Sequence, residues 1–194
     1  MSRRLLGALA LTFALAPRPA FADETVDRLA LVVGANDGGS DRVRLRYANT
    51  DAGAFQAVLR EVGGLSTGEY LEQPSVGEVV QALARLAQAS QRARSAGHRT
   101  EIVFYFSGHA DDQGLLLGDG RISYAILRKA LQNLPADVRI GIIDSCASGQ
   151  ITRQKGGTRR SGFMTGIPTT VRGMALLTSS SPSEPAQESD SIGG

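Results

Sequence analysis

Two apolar runs, each ending in a reactive polar turn, constrain what this chain can fold into. Residues 139–149, RIGIIDSCASG, carry Ile140, Gly141, Ile142 and Ile143 without polar interruption into Asp144, Ser145 and Cys146. Such a run reads as a parallel strand buried on both faces. Residues 100–110, TEIVFYFSGHA, repeat the form and end in Ser107, Gly108 and His109. In an open α/β sheet the carboxyl ends of the strands are where ligands bind, because the loops leaving them vary over a rigid scaffold. One strand thus delivers the chain's single thiol and the other an imidazole. As neighbours, Cys146 and His109 would form a thiolate with its acid/base partner.

The first 22 residues are read as a cleavable secretory signal, residues 1–22. Arg3 and Arg4 precede an apolar run over residues 5–16, and Ala20, Phe21 and Ala22 supply an A-x-A cleavage site. The apolar run is too short to span the hydrocarbon core of a bilayer, so the expectation is an exported protein, periplasmic or secreted, with no membrane attachment after cleavage. Removing this segment takes away Arg3, Arg4 and Arg18 and no acid, which turns the net charge from +2 to −1. A mature domain of that charge gives no reason to expect nucleic acid as a partner.

Residues 23–194 then form one domain with a sizeable core, and the alternation of strand and helix patterns points to α/β. A lone cysteine cannot close an internal disulfide, so in an oxidising compartment it reads either as a reactive thiol or as a small buried hydrophobe. Its place at a strand end beside Asp144 and Ser145 favours the first.

Along the chain, residues 28–34 read as a first buried strand. The glycine-rich stretch after it, residues 34–39, has neither G-x-G-x-x-G nor G-x-x-x-x-G-K-[ST], so it does not read as a phosphate cradle. Residues 50–62 form a helix with Ala52, Phe55, Val58, Leu59 and Val62 on its apolar face and Asp51 in its first turn. A short strand is expected near residues 69–71. Ser75 and Glu78 make a capping box for a second helix that buries Val76, Val79, Val80, Leu83 and Leu86. His98, in the polar turn after Gly97, is read as a solvated surface residue with no carboxylate nearby. Residues 114–120 read as a hairpin, and Ser123 caps a third helix that buries Tyr124, Leu127, Leu131 and Leu134. After the Cys146 strand, residues 150–173 turn to Arg, Lys, Gly and Thr without periodicity and are read as a flexible loop. Residues 174–179 form one more buried strand, and residues 180–194 show no secondary-structure pattern.

A cysteine peptidase needs a thiolate, an imidazole that activates it and then protonates the leaving amine, and N–H donors for the oxyanion. Cys146 and His109 supply the first two. The Cys146 N–H, with the backbone around Gly108 and Ala110, supplies the donors.

With FYFSGH at residues 104–109 and DSCASG at residues 144–149, supported by LALVVG at 29–34 and LLTSSSPSEPAQES at 176–189, the chain resembles the caspase-like cysteine peptidases, in particular their metacaspase-like bacterial branch. The caspase signature Q-A-C-[RQG]-G is altered here to Asp144 and Ser145 before the cysteine. The resemblance implies a caspase-like three-layer sandwich around a mostly parallel central sheet, with peptide bonds hydrolysed by the Cys146/His109 dyad and proteins or peptides as partners. The family commonly has Gly after the catalytic His, where this chain has Ala110. Its fold also continues past the last strand read here, so the C-terminal part is expected to be missing. No cofactor is required by a dyad; calcium activation follows from the family resemblance alone.

A basic side chain is expected on the amino side of the cleaved bond. Asp144 lies two residues before Cys146, and alternation along a strand sets both on one face. The resemblance adds Asp51, through LRYANTDA at residues 45–52, and Ser107 as pocket residues. Two carboxylates and a hydroxyl would pair with a guanidinium and repel an acid. The competing view is that Asp51 only complements its helix dipole and Asp144 only braces the turn. An inactive caspase-like binding or regulatory module is the alternative to an enzyme, and a different small α/β hydrolase or binding domain is the third reading.

Overall fold

The structure is a computed structural model that describes residues 24–145 and 172–179. Among the described residues the order is β1 (Val26–Ala35), α1 (Ala48–Glu61), β2 (Thr67–Glu72), α2 (Val76–Ser95), β3 (Arg99–Gly108), β4 (Gly114–Leu117), β5 (Gly120–Ser123), α3 (Tyr124–Asn133), β6 (Val138–Asp144) and β7 (Gly173–Thr178). β1, β2, β3, β6 and β7 form one sheet in the order β2-β1-β3-β6-β7, every pair parallel, while β4 and β5 make a separate antiparallel hairpin. Helical crossovers are what parallel neighbours need, and they cover the sheet on both faces.

Period-two alternation sorts the strand residues between two apolar layers. Leu31, Val33, Ile102, Phe104, Phe106 and Ile143 pack with α2, α3 and the hairpin. Ala30, Val32 and Tyr105 face α1 through Ala52, Phe55 and Leu59. The result is the expected α/β sandwich. α2 and α3 start where the sequence places them: Ser75 and Glu78 close a capping box, and the Ser123 side chain accepts from the Ile126 N–H, while α1 starts two residues before the expected residue 50.

Several expectations need correction. α1 turns Val58 and Val62 to solvent, 53% and 80% exposed. At 100° per residue Val58 lies well round from Ala52 and Leu59, whose flank is completed by Ala48 and the buried Gln56, while Val62 stands past the last helical turn as the C-cap. Val80 likewise falls at the edge of the α2 stripe and is 52% exposed. In β6, Gly141 and Ile143 are buried but Ile140 and Ile142 only half so, because α1 lies over β1, β2 and β3. Among the described residues β7 stands at the edge of the sheet and is not buried, with Leu177 52% exposed. His98 is not a free surface residue. Its Nδ1 lies 2.7 Å from Asp27 Oδ2, tying the turn after α2 to the start of β1. That hydrogen bond outweighs the opposing effect of desolvation and holds the Asp27 carboxyl below its usual pKa.

At the amino ends of the strands, buried Asp137 joins three elements. Its carboxylate accepts from the Thr100 N–H at 3.1 Å, pairs with Arg94 at 2.7 Å and meets Arg172, next to β7, at 3.3 Å. Burial works to raise the Asp137 pKa, but the Thr100 bond and the two guanidiniums outweigh it and hold the carboxyl below its ordinary value. A depressed folded-state pKa contributes stability that is complete above the unfolded value and is lost as pH falls through the folded one. Asp137→Asn is therefore expected to cost about 1–3 kcal/mol at pH 7 in urea denaturation, a modest figure because the arginines stay solvated. The same variant should lose less stability than the wild type below about pH 4. Equal acid sensitivity of the two proteins would rule this role out.

Candidate active site

The carboxyl ends of β1, β3 and β6 lie side by side, with Ala35 paired to Gly108 and Ser107 paired to Asp144. Two glycines permit the close approaches made there. A Cβ on Gly34 would stand 2.8 Å from the Asn49 Cα, so its absence lets the start of α1 rest on β1. A Cβ on Gly38 would overlap the His109 ring at 2.6–2.7 Å, so the loop between β1 and α1 lies directly against the imidazole.

His109 follows β3 and is half-buried. Its Nε2 lies 2.7 Å from the Val43 carbonyl oxygen. A carbonyl only accepts, so the ring proton belongs on Nε2 and the lone pair on Nδ1, the arrangement a general base needs. The main chain of His109 is pinned as well, its carbonyl accepting from the Leu116 N–H at 2.9 Å. The loop that presents Val43 is folded back by Asn36, whose carbonyl accepts from the Leu45 N–H at 2.8 Å and whose side chain accepts from the Asn49 N–H at 3.0 Å. On the far side of Gly38, a cleft of about 330 Å³ runs from Gly38 to Arg42 along the hairpin residues Gly118 to Arg121.

On the α1 face, two of the expected pocket residues, Ser107 and Asp144, meet the hydroxyl of Tyr105, which had no place in the sequence reading. The Tyr105 hydroxyl donates to Asp144 Oδ2 at 3.4 Å, a long bond, and its ring stacks on Phe55 with centroids 4.2 Å apart. Burial, then the charges of Asp144 and Asp51, push the Tyr105 phenol above its ordinary value, while a hydrogen bond from Ser107 opposes them. Tyr105 stays a neutral donor, and Asp51, Ser107 and Asp144 share one neighbourhood around its hydroxyl. The signal for Tyr105 was its position two residues before Ser107 on an alternating strand.

Cys146 with its N–H, residues 147–149, most of the 150–173 loop, the signal segment and residues 180–194 lie outside the described residues. The approach to Cys146 is defined up to Ser145, whose N–H donates to Ser179 Oγ at 3.1 Å, while the Ser179 N–H donates to the Ile143 carbonyl at 3.2 Å. Ser179 is a second contributor that sequence patterns did not single out. Among the described residues no three carboxylate, imidazole or thiol groups converge as metal ligands. No helix among them is long and apolar enough to cross a membrane.

A family model described as a caspase domain matches residues 27–194. Among solved structures, caspase-1 from Spodoptera frugiperda is similar at a TM-score of 0.56 and 14% identity, over 95% of this chain and 72% of that one. A structure of pro-sf-caspase-1 aligns at a TM-score of 0.46 and 14% identity, over 87% of this chain and 66% of that one. At such identity the likeness concerns the fold alone. No protein of curated function matches the sequence.

Proposed function

Because the chain belongs to the caspase-domain family of cysteine peptidases, we propose that it is a cysteine endopeptidase that cleaves after Arg or Lys by a Cys146/His109 dyad. The observation that carries this reading is the His109 ring, oriented by the Val43 carbonyl so that Nδ1 keeps its lone pair. Support for the pairing comes from register: Ser107 and Asp144 are partners across β3 and β6, and His109 and Cys146 each come two residues later.

His109 Nδ1 takes the Cys146 thiol proton, and the thiolate attacks the scissile carbonyl carbon. The developing oxyanion is met by the Cys146 N–H and by backbone donors near Gly108 and Ala110. As the C–N bond breaks, His109 returns the proton to the leaving amine, and a thioester remains on Cys146. Water, deprotonated by His109, then hydrolyses that thioester and restores the thiol. A substrate guanidinium enters beside Asp144 and Asp51. The segment beyond the cleaved bond leaves past Gly38 and the adjoining cleft.

Labelling with an electrophilic peptidyl ketone bearing Arg tests the reading. Covalent modification of the wild type and none of Cys146→Ala is expected, whereas an unreactive wild type would mean a folded but inactive module. Residues 150–173 carry Arg153, Lys155, Arg159 and Arg160, so slow self-cleavage after one of them is also expected. N-terminal sequencing of fragments checks this, and identical fragments from Cys146→Ala would point to a contaminating protease.

A further inference from the structure

Among the described non-glycine residues, Gln73 alone has a left-handed backbone, with φ at 48°. It sits in the short connection between β2 and α2 and precedes Pro74, which restricts its backbone further. Glycine or asparagine would meet the demands of such a turn more easily. What a glycine lacks is the side chain, and in Gln73 that side chain is fully engaged. Oε1 accepts from the Asp37 N–H at 2.9 Å and Nε2 donates to the Asp37 carbonyl at 3.1 Å. Its own N–H donates to the Gly34 carbonyl at 2.8 Å, at the end of β1.

A side-chain amide closed on both backbone groups of one residue fixes that residue in place and in rotation. Asp37 passes the constraint on, accepting from the Gly39 N–H through Oδ1 at 2.9 Å and from the Gly118 N–H through its carbonyl at 3.0 Å. Between Asp37 and Gly39 lies Gly38, against the His109 ring, and a few residues further on is the Val43 carbonyl that holds Nε2. Both contacts that orient the imidazole therefore belong to the loop that Gln73 clamps. Strained backbone kept in place by side-chain bonds is what sites needing fixed geometry tolerate.

We propose that Gln73 is a positioning residue, holding the β1–α1 loop so that Val43 and Gly38 keep His109 in its productive orientation. The proposal rests on His109 being the acid/base. The test is Gln73→Gly, which relieves the backbone and removes the clamp. The expected result is a thermal midpoint within a few degrees of wild type, kcat lower by about tenfold or more, and KM changed much less, since small misplacements of a catalytic group are costly. Gln73→Glu keeps the length and one of the two bonds and should fall between the two.

A readout independent of turnover is the ¹⁵N spectrum of the imidazoles. Wild-type His109 is expected to show the Nε2–H form with a slowly exchanging proton, and Gln73→Gly to show tautomer averaging and fast exchange. His98, bonded through Nδ1 to Asp27, serves as the unaffected reference. Unchanged kcat and an unchanged His109 signal in Gln73→Gly would overturn the proposal. If the wild type has no peptidase activity the endopeptidase reading fails, and the His109 spectrum still decides the clamp. Should Gln73→Gly not fold, the same two readouts on Gln73→Glu decide it, wild-type values overturning the proposal.

Discussion

Cys146→Ala and His109→Ala are each expected to lower kcat/KM on an Arg-containing fluorogenic peptide by about 10⁴-fold or more, with the double variant hardly worse than either single. Members of a catalytic unit are not additive, because removing one leaves the other with nothing to act on. The two variants should still differ in one respect. A thiol without its imidazole base is ionised only as the solution becomes alkaline, so residual activity of His109→Ala should climb with rising pH. Cys146→Ala has no nucleophile at any pH and should show no such rise. Loss of the His109 ring also removes its bond to the Val43 carbonyl, which costs about 1 kcal/mol and leaves the domain folded by circular dichroism. Substantial turnover by Cys146→Ala would refute the dyad.

Asp144→Ala is expected to lower kcat/KM for an Arg substrate by about 10–100-fold while leaving a Leu substrate nearly unaffected, the range that one charge-assisted interaction of about 1.5–3 kcal/mol supplies. Asp144→Asn refines the test. It preserves an acceptor for the Tyr105 hydroxyl but removes the charge, so it should abolish the preference without disturbing the stack of Tyr105 on Phe55. Arg should be preferred to Lys in the wild type, since a planar fork suits a carboxylate better than a point charge. A panel with Arg, Lys, Asp and Leu before the cleaved bond reads all of this. Preferential cleavage after Asp would discard the acidic pocket and leave the dyad untouched.

The strands of the site were legible because burial leaves a plain mark: RLALVVG, EIVFYFSG and RIGIID could hardly be anything other than central parallel strands. The helix starts at Ser75 and Ser123 were equally plain, since capping chemistry is local. Edge position and helix-face width are not local. Val58, Val62 and Leu177 are apolar residues whose exposure depends on what lies opposite, and one strand's composition does not say whether a further neighbour covers it. In the site, Asp144 could be grouped with Cys146 by strand alternation, and Ser107 and Asp51 were added by the family resemblance alone. Gln73 and Ser179 could not, because each acts through backbone groups brought near by tertiary folding.

The acceptor that orients His109 belongs to the main chain of a residue whose side chain is 87% exposed. Substituting Val43 by any residue but proline therefore leaves that oxygen where it is, and an alanine scan would score the position as silent. Within the loop itself the dependence would emerge when chain length is altered. Deleting or inserting one residue between Gly39 and Leu45 would slide the carbonyl off the ring nitrogen while every catalytic side chain stayed in place. Libraries built to retune this loop should vary identity freely and hold its length constant.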